Sequence, residues 1–516
     1  MNKIKYIGIA LAFLLFSYSA DAQYVQNAIR FAQNHYEGTA RSAAMGNAFT
    51  GLGGELGAMN INPAAIGLYK YMEFSITPAI GSTFNESAYL GSLSKSSRTT
   101  FGLSNFGVVV PVFRKGSNFG LSHLNIGVAY NKTHDMNYSS INRGLNQESS
   151  WLSNQAAAAN GTDNSWLGFD DDYNPFYEPG LNWTSISLWN TYLLDPFSGS
   201  TDYIAATDNV SGSGRPYLAG DLMQTFAMER RGSKDQVDIN FSGNVSDIFY
   251  FGLNVGIMNI SYRQFQRITE EAVNPQLFTT GFKSYTVTHD VATSGSGVNL
   301  NFGVIVRPVY WFSIGASIST PTWYYLSETY EVAAVSRFGN GHDKPTLNEI
   351  ASPLGTYSYR INTPFRWNVG ASAVIAKRLA ISFDYENTNY GSTRLIDSYD
   401  MAEFEKENDI IRANYKSVNN FRAGLEFKAT RNLALRLGYN YYDFYDKEKA
   451  YNDMHVIAGG LGYIFNNGIF LDATYQHYMN KDFSYSYYTP VNGAPTPIAN
   501  DRDWRFKVLL TIGYRF

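Results

Sequence analysis

The sequence predicts an all-β protein: a transmembrane antiparallel β-barrel of about fourteen strands with an N-terminal hatch, or plug, inside its lumen. Three observations predict it. Segment after segment alternates apolar residues with small or polar ones at period two. The connections between these segments are short and long in strict turn. A glycine- and alanine-rich stretch with no strand pattern precedes the first segment.

Composition sets the frame. The 516 residues carry a net charge of −4, which gives no case for nucleic acid as a partner. Cysteine is absent, so there is no disulfide framework, thiolate metal site or thiol nucleophile. Aromatics reach 16%, with 39 Tyr and 34 Phe. The mean hydropathy of −0.24 suits a water-soluble chain, but it equally suits a barrel whose lipid-facing and lumen-facing residues alternate.

The chain opens with a predicted signal peptide over residues 1–22. Lys3 and Lys5 form its charged region, Ile7 to Phe16 its apolar region, and Ala20-Asp21-Ala22 its cleavage motif, leaving Gln23 at the mature N-terminus. The apolar run is too short for a transmembrane anchor. Residues 23–70 are the predicted hatch. "YVQNAIRFAQ" can form one short helix, and "GTARSAAMGNAFTGLGGELGAMNINPAAIG" follows it. So many small residues make a poor strand, and the glycines make a poor long helix. Irregular backbone of this kind is permitted at membrane depth if it is buried in protein.

Residues 71–516 form the predicted barrel. In the final segment Phe506, Val508, Leu510, Ile512, Tyr514 and Phe516 share a wholly apolar face, while Arg505, Lys507, Leu509, Thr511, Gly513 and Arg515 lie on the other. "GVNLNFGVIV", "FRWNVGASA" and "LALRLGYNY" repeat the pattern. The fourteen segments begin near Met72, Thr99, Leu121, Gln236, Phe249, Val291, Trp311, Ser358, Leu379, Ser417, Leu433, Met454, Ile469 and Arg505. Short turns fall at Arg114–Asn118, Ser246–Ile248, Arg307–Tyr310, Ala376–Arg378, Ala429–Asn432 and Asn466–Gly468; long loops fall near 84–98, 139–234, 268–290, 328–357, 390–416, 443–453 and 479–504. Barrels of the bacterial outer membrane have short periplasmic turns and long extracellular loops, which places both termini in the periplasm. Tyr and Trp cluster at segment ends, as interfacial girdles require.

The hatch stretch "ARSAAMGNAFTG" and "NINPAAIG" resembles the FadL/TodX family of outer-membrane transporters for hydrophobic compounds, as do "FSGNVSDIFYFGLNVGI", "GVNLNFGVIVRPVYWFSIGASISTPT" and "INTPFRWNVGAS". The resemblance implies a monomeric, non-enzymatic, fourteen-stranded barrel in a Gram-negative outer membrane. It implies passive uptake of long-chain fatty acids or aromatic hydrocarbons: capture by outer loops, gating by the hatch, and lateral release at an inward kink in the third strand. Outer-membrane lipid and lipopolysaccharide would surround it, and the C-terminal strand would engage the barrel assembly machinery. A PorV-type secretion shuttle, or another protein-binding barrel on the same fold, is the alternative.

Candidate residues follow from these roles. Asn62, Pro63 and Ala64 with Arg41 and Gly46 mark the hatch. Arg307, Arg366, Arg436 and Lys507 fall on the lumen face, where a ligand carboxylate needs a cation to replace its hydration; Asp384, Glu386 and Glu426 share that face, so pairing among these groups is the competing expectation. Gly127 can accommodate the third-strand bend. The 139–234 loop exceeds the family pattern, and Trp166, Phe176, Trp183 and Trp189 in it form either a capture surface or the core of a folded cap. No catalytic motif, metal-ligand spacing or cofactor fingerprint occurs, so no cofactor is expected.

Overall fold

The computed structural model describes residues 20–114, 120–397, 404–447 and 453–516. The signal-peptide expectation falls on residues 1–19, outside the described residues, apart from Ala20–Ala22, which open a helix. Most of the Arg114–Asn118 turn is likewise outside them.

The wall consists of β1 (Glu73–Tyr89), β2 (Ser92–Arg114), β3 (Leu121–Asp135, continued by Tyr138–Asn146), β4 (Leu222–Val245) and β5 (Phe249–Ala272). It goes on through β6 (Phe282–Val309), β7 (Phe312–Ser319 with Trp323–Phe338), β8 (Gly355–Asn362 with Arg366–Ile375) and β9 (Leu379–Asn389, continued by Arg394–Asp397). It is completed by β10 (Ser417–Lys428), β11 (Leu433–Tyr442), β12 (Met454–Ile464), β13 (Ile469–Tyr485) and β14 (Ala499–Arg515). Each strand pairs antiparallel with the next, and β14 returns to β1 from Glu73↔Arg515 to Tyr89↔Ala499, closing a barrel of fourteen strands. Closure leaves no edge with unpaired backbone groups, the condition for a sheet in lipid.

Alternation is visible in burial. On β14, Val508, Leu510, Ile512 and Tyr514 face outward, while Lys507, Leu509 and Thr511 are buried in the lumen. At the short-turn end, β4–β5 and β8–β9 are joined through Ser246-Asp247 (φ 59° and 55°) and Ala376-Lys377 (φ 51° and 59°). Positive φ at both central residues is the geometry of the primed β-turn, closed here by Ile248 N–H to Val245 O and Arg378 N–H to Ile375 O, whose twist matches that of the strands.

The long-loop end departs from expectation. Residues 84–98 are no loop: β1 and β2 run as a continuous ladder to a tight turn at Leu90-Gly91. β4 and β5 each span 24 residues and β6 spans 28, so the wall takes in much of 139–234, 268–290 and 328–357. These extensions carry polar residues on both faces and so lack the apolar alternation of a lipid-facing strand. What remains of the 139–234 insertion is a folded cap with helices at Trp151–Ala159 and Trp183–Asn190 and two small hairpins. Its core packs Leu152, Leu167, Ile186 and Leu188 against Phe226, Phe282 and Tyr285 of the wall extensions.

Candidate functional site

The segment before β1 fills the lumen. It comprises α1 (Ala20–Ala32), α2 (Ala40–Ala44) and two short 3₁₀ turns, Leu56–Ala58 and Pro63–Leu68. Irregular backbone leaves donors and acceptors without regular partners, and burial makes each one costly. The wall supplies those partners. Thr511 Oγ1 accepts from Ala40 N–H at 2.7 Å, and Ser313 Oγ donates to Gly51 O at 2.8 Å. Ser317 Oγ donates to Ile61 O at 2.6 Å, and Asn125 Nδ2 donates to Ile66 O at 2.6 Å and Tyr69 O at 3.0 Å.

Asn62, Pro63 and Ala64 build the last 3₁₀ turn. Asn62 Oδ1 accepts from Ala64 N–H at 3.0 Å, its Nδ2 donates to Thr50 O at 2.7 Å, and Pro63 occupies the first helical position, where a missing N–H costs nothing. Gly46 adopts φ 61°, and a Cβ there would sit 2.7 Å from Asn440 Oδ1. On the wall, a Cβ on Gly315 would stand 1.9 Å from Thr50 O. Small residues on both surfaces let the two backbones touch.

Arg41 ties the hatch to the wall. Its guanidinium donates to Glu426 at 2.8 and 3.2 Å, to Glu55 at 3.1 Å and to Gly54 O at 3.0 Å. Glu426 also accepts from Arg436 Nε at 2.7 Å, and Arg436 pairs with Asp472. Lys507 binds Glu37 of the hatch at 2.5 Å and lies 3.8 Å from Asp135. Both Arg436 and Lys507 are thus saturated by carboxylates. Arg422, which the sequence did not single out, is fully buried against Glu386 at 3.0 Å.

Two lumen cations differ. Arg366 lies over the Tyr36 ring at 5.5 Å, and among the described residues its Nε has no hydrogen-bond partner and Lys234 donates to the Phe31 and Gln33 carbonyls alone. Among the described residues neither has a carboxylate within ion-pair distance. The buried Tyr324 hydroxyl, which feels the charge of Arg366, also has no partner. Sequence alternation placed Arg366 on the lumen face; Lys234 and Tyr324 lay in stretches read as loop or interfacial girdle. Arg307 is elsewhere, at the short-turn end, in a cleft of about 350 Å³ with Leu68, Lys70, Asp247 and Tyr250.

The third strand leaves the wall above the hatch. β2 pairs with β3 only from Asn105↔Asn131 to Arg114↔His123, although β2 continues beside β1 up to Ser92. The continuation Tyr138–Asn146 stays paired with β4 but crosses the inner face of β1. Asn142 Nδ2 reaches the Tyr485 and Tyr487 hydroxyls at 2.8 Å, and Tyr138 donates to Asp501 at 3.1 Å. A seam without ladder pairing therefore separates β2 above Asn105 from β3, among the described residues. Only side chains bridge it: an Arg98–Glu229 ion pair and Ser96 Oγ donating to Ser139 O at 2.8 Å. Gly127 is not the bend. Its ladders are continuous on both sides, and its missing side chain makes room for Met59, whose Cε would lie 2.6 Å from a Cβ there. The register shifts on the inner side at Lys132/His134 instead.

The cap residues divide. Phe176 is buried, Trp183 packs on Tyr330 at 4.6 Å and Trp189 on Tyr203 at 5.8 Å; Trp166 alone of the four is exposed, at 57%. Phe169 and Tyr177 are exposed near it in the sequence.

A closed barrel with an apolar girdle, a lumen plugged by its own N-terminal segment and a gap in one ladder defines a plugged membrane-channel architecture. The family model described as outer membrane protein transport protein (OMPP1/FadL/TodX) matches residues 219–491, and the chain belongs to that family. It is an outer-membrane transporter of hydrophobic compounds, a transport channel and not an enzyme. Among solved structures it is similar to the toluene transporter TodX of Pseudomonas putida, at 14% identity over 93% of this chain and 99% of that one, with TM-score 0.54. A FadL homologue of Pseudomonas aeruginosa gives 11% identity over 94% and 98%, with TM-score 0.54. These likenesses are in fold. No curated protein sequence matches the chain.

Proposed function

We propose that the protein passively takes up long-chain fatty acids, or similar apolar acids with one anionic head, and releases them sideways through the β2–β3 seam. One observation carries the ligand class. Arg41, Arg422, Arg436 and Lys507 each hold a carboxylate, whereas among the described residues Arg366 and Lys234 have none within ion-pair distance, Arg366 feeling Glu386 only at longer range. Beside the unpartnered Tyr324 hydroxyl they suit a carboxylate arriving from outside. The hatch blocks the axial path below, and the seam supports a lateral one. In this reading the short turns and both termini face the periplasm, residues 1–22 direct export, residues 23–70 act as the gate, and β14 is the strand the assembly machinery reads. Bound outer-membrane lipid and lipopolysaccharide surround the wall.

Binding of palmitate and of toluene to the purified protein tests the assignment. Arg366→Gln is expected to weaken palmitate binding about tenfold or more, the loss of a charge-assisted hydrogen bond, and to leave toluene unchanged. Equal affinity of variant and wild type for palmitate would remove the head-group assignment. A second reading, capture of a protein cargo, draws on exposed Trp166, Phe169 and Tyr177 of the cap. Removing the cap would abolish cargo binding while sparing palmitate binding by the isolated barrel.

A further inference from the structure

The linker between α1 and α2 crosses the lumen beside the point where β3 parts from β2. His35 N–H in this linker donates to Thr133 O at 2.7 Å. The His35 and His134 rings are 4.7 Å apart, with their Nδ1 atoms at 2.7 Å. Two bare imidazole nitrogens would repel at that distance, so one carries hydrogen and the other accepts it. The same junction is fastened on both flanks. Before it, Lys234, which pairs with His134 in the β3–β4 ladder, takes the Phe31 and Gln33 carbonyls. After it, Glu37 binds Lys507, which also faces Asp135.

His134 lies three positions beyond Asn131, the last residue of β3 paired with β2. The hatch linker therefore grips β3 at the inner end of the seam, where the β3–β4 register shifts. Strand β3 above this point has no ladder with β2 and keeps its β4 ladder and side-chain contacts alone, so a contact from the hatch adds to what holds it at the inner end of the seam.

We propose that the His35–His134 hydrogen bond couples the hatch to the seam. While it stands, β3 and the Arg98–Glu229 bridge keep the seam narrow; when a ligand displaces the linker, His134 is released and the seam widens. His35 and His134 are then positioning residues for release and touch no ligand themselves. This inference rests on the lateral-release reading, and the test separates the two.

The chain has no cysteine, so single thiols report cleanly. Lys132→Cys marks the β3 lip of the seam; the native ammonium stands 3.0 Å from where a Cβ on Gly102 of β2 would be. In proteoliposomes, His134→Phe is expected to raise the labelling rate of that thiol by a membrane-impermeant maleimide about fivefold, the worth of one net hydrogen bond. His35→Gln combined with His134→Gln rebuilds an amide–amide bond and returns the rate toward wild type. Should His134→Phe fail to fold, judged by heat-modifiable migration, His35→Gln alone replaces it under the same criterion. Labelling at the wild-type rate in the folded single variant, or no rescue in the double variant, overturns the coupling. A bis-maleimide staple between Gly102→Cys and Lys132→Cys tests the underlying route with a fluorescent long-chain fatty acid. Uptake that survives the staple removes lateral release and leaves the coupling to be judged on labelling. Uptake that stops, with labelling unmoved by His134→Phe, removes the coupling alone.

Discussion

Glu426→Ala opens one of the charged attachments between hatch and wall. The Glu426 carboxylate receives Arg41 at 2.8 and 3.2 Å and Arg436 at 2.7 Å, and its side chain is 7% exposed. Breaking a buried ion pair costs about 3–5 kcal/mol, because the stranded partner stays desolvated. Here the stranded partners are partly provided for. Arg41 is 19% exposed and keeps Glu55 and Gly54 O, and Arg436 keeps Asp472. The cost falls to about 2–3 kcal/mol, a shift of about 30- to 150-fold in the equilibrium between seated and unseated hatch. Planar-bilayer conductance reads this directly, since an unseated hatch opens an aqueous path that the seated one blocks. Amide exchange over residues 40–68 should speed up in parallel. A variant with wild-type conductance and wild-type exchange would refute the view that this pair fastens the hatch.

Gly315→Val places a side chain where Thr50 O now sits, 1.9 Å from the ideal Cβ, so the barrel should assemble with a displaced hatch and show raised conductance with an intact heat-modifiable wall. Phe226→Ala removes the ring stacked on Tyr487 at 4.0 Å beneath the cap; a loss of about 3–5 kcal/mol should expose the cap to limited proteolysis while the hatch stays protected. Asp208 in the cap is held by burial with its pKa up at about 6, so the folded cap takes up a proton that the unfolded chain releases near pH 4. Its cost is absent below about pH 4 and grows as pH rises through about 6, to about 3 kcal/mol. Asp208→Asn should flatten that dependence, seen as cap amide protection, corrected for the intrinsic exchange rate at each pH, that no longer falls between about pH 4 and 7.

What the sequence disclosed follows from what its alternation measures. A lipid face forces period two, so all fourteen wall strands were legible, as were the turns at Ser246 and Ala376, while β2, β4, β6 and β14 begin before the expected Thr99, Gln236, Val291 and Arg505, at Ser92, Leu222, Phe282 and Ala499. Above the girdle water replaces lipid and the constraint lapses, so "STFNESAYLGSLSKSSRTT" read as a loop although it is an unbroken hairpin. The hatch was legible as an absence of pattern together with an excess of small residues. Its attachments were less so: alternation put Arg436 and Lys507 on the lumen face but could not say that Asp472 and Glu37 claim them. The seam was legible only as a family expectation. Its cause, a strand that keeps β4 and gives up β2, is a pairing choice between distant segments that no local pattern encodes.

The height of the seam bears on what it can release. Along β2 the outward apolar residues run from Phe113 and Val112 up to Phe101, which is 80% exposed. From Val112 to Phe101 is about eleven residue steps, or roughly 36 Å of strand, and a tilt near 40° turns it into roughly 28 Å of height. This is close to the thickness of the hydrocarbon layer, so Phe101 marks its upper border. Pairing of β2 with β3 ends at Asn105, roughly 10 Å of height below that border, and the seam rises from there. If release is lateral, the lowest part of the seam opens onto acyl chains and its upper part onto the polar interface. An amphiphile gains both ways. Its chain slips past Phe101 into the lipid while its head remains level with Lys132, Arg98 and the water above. Under the lateral-release proposal, the position of the break suits a ligand that carries one polar end, in keeping with the proposed fatty acid.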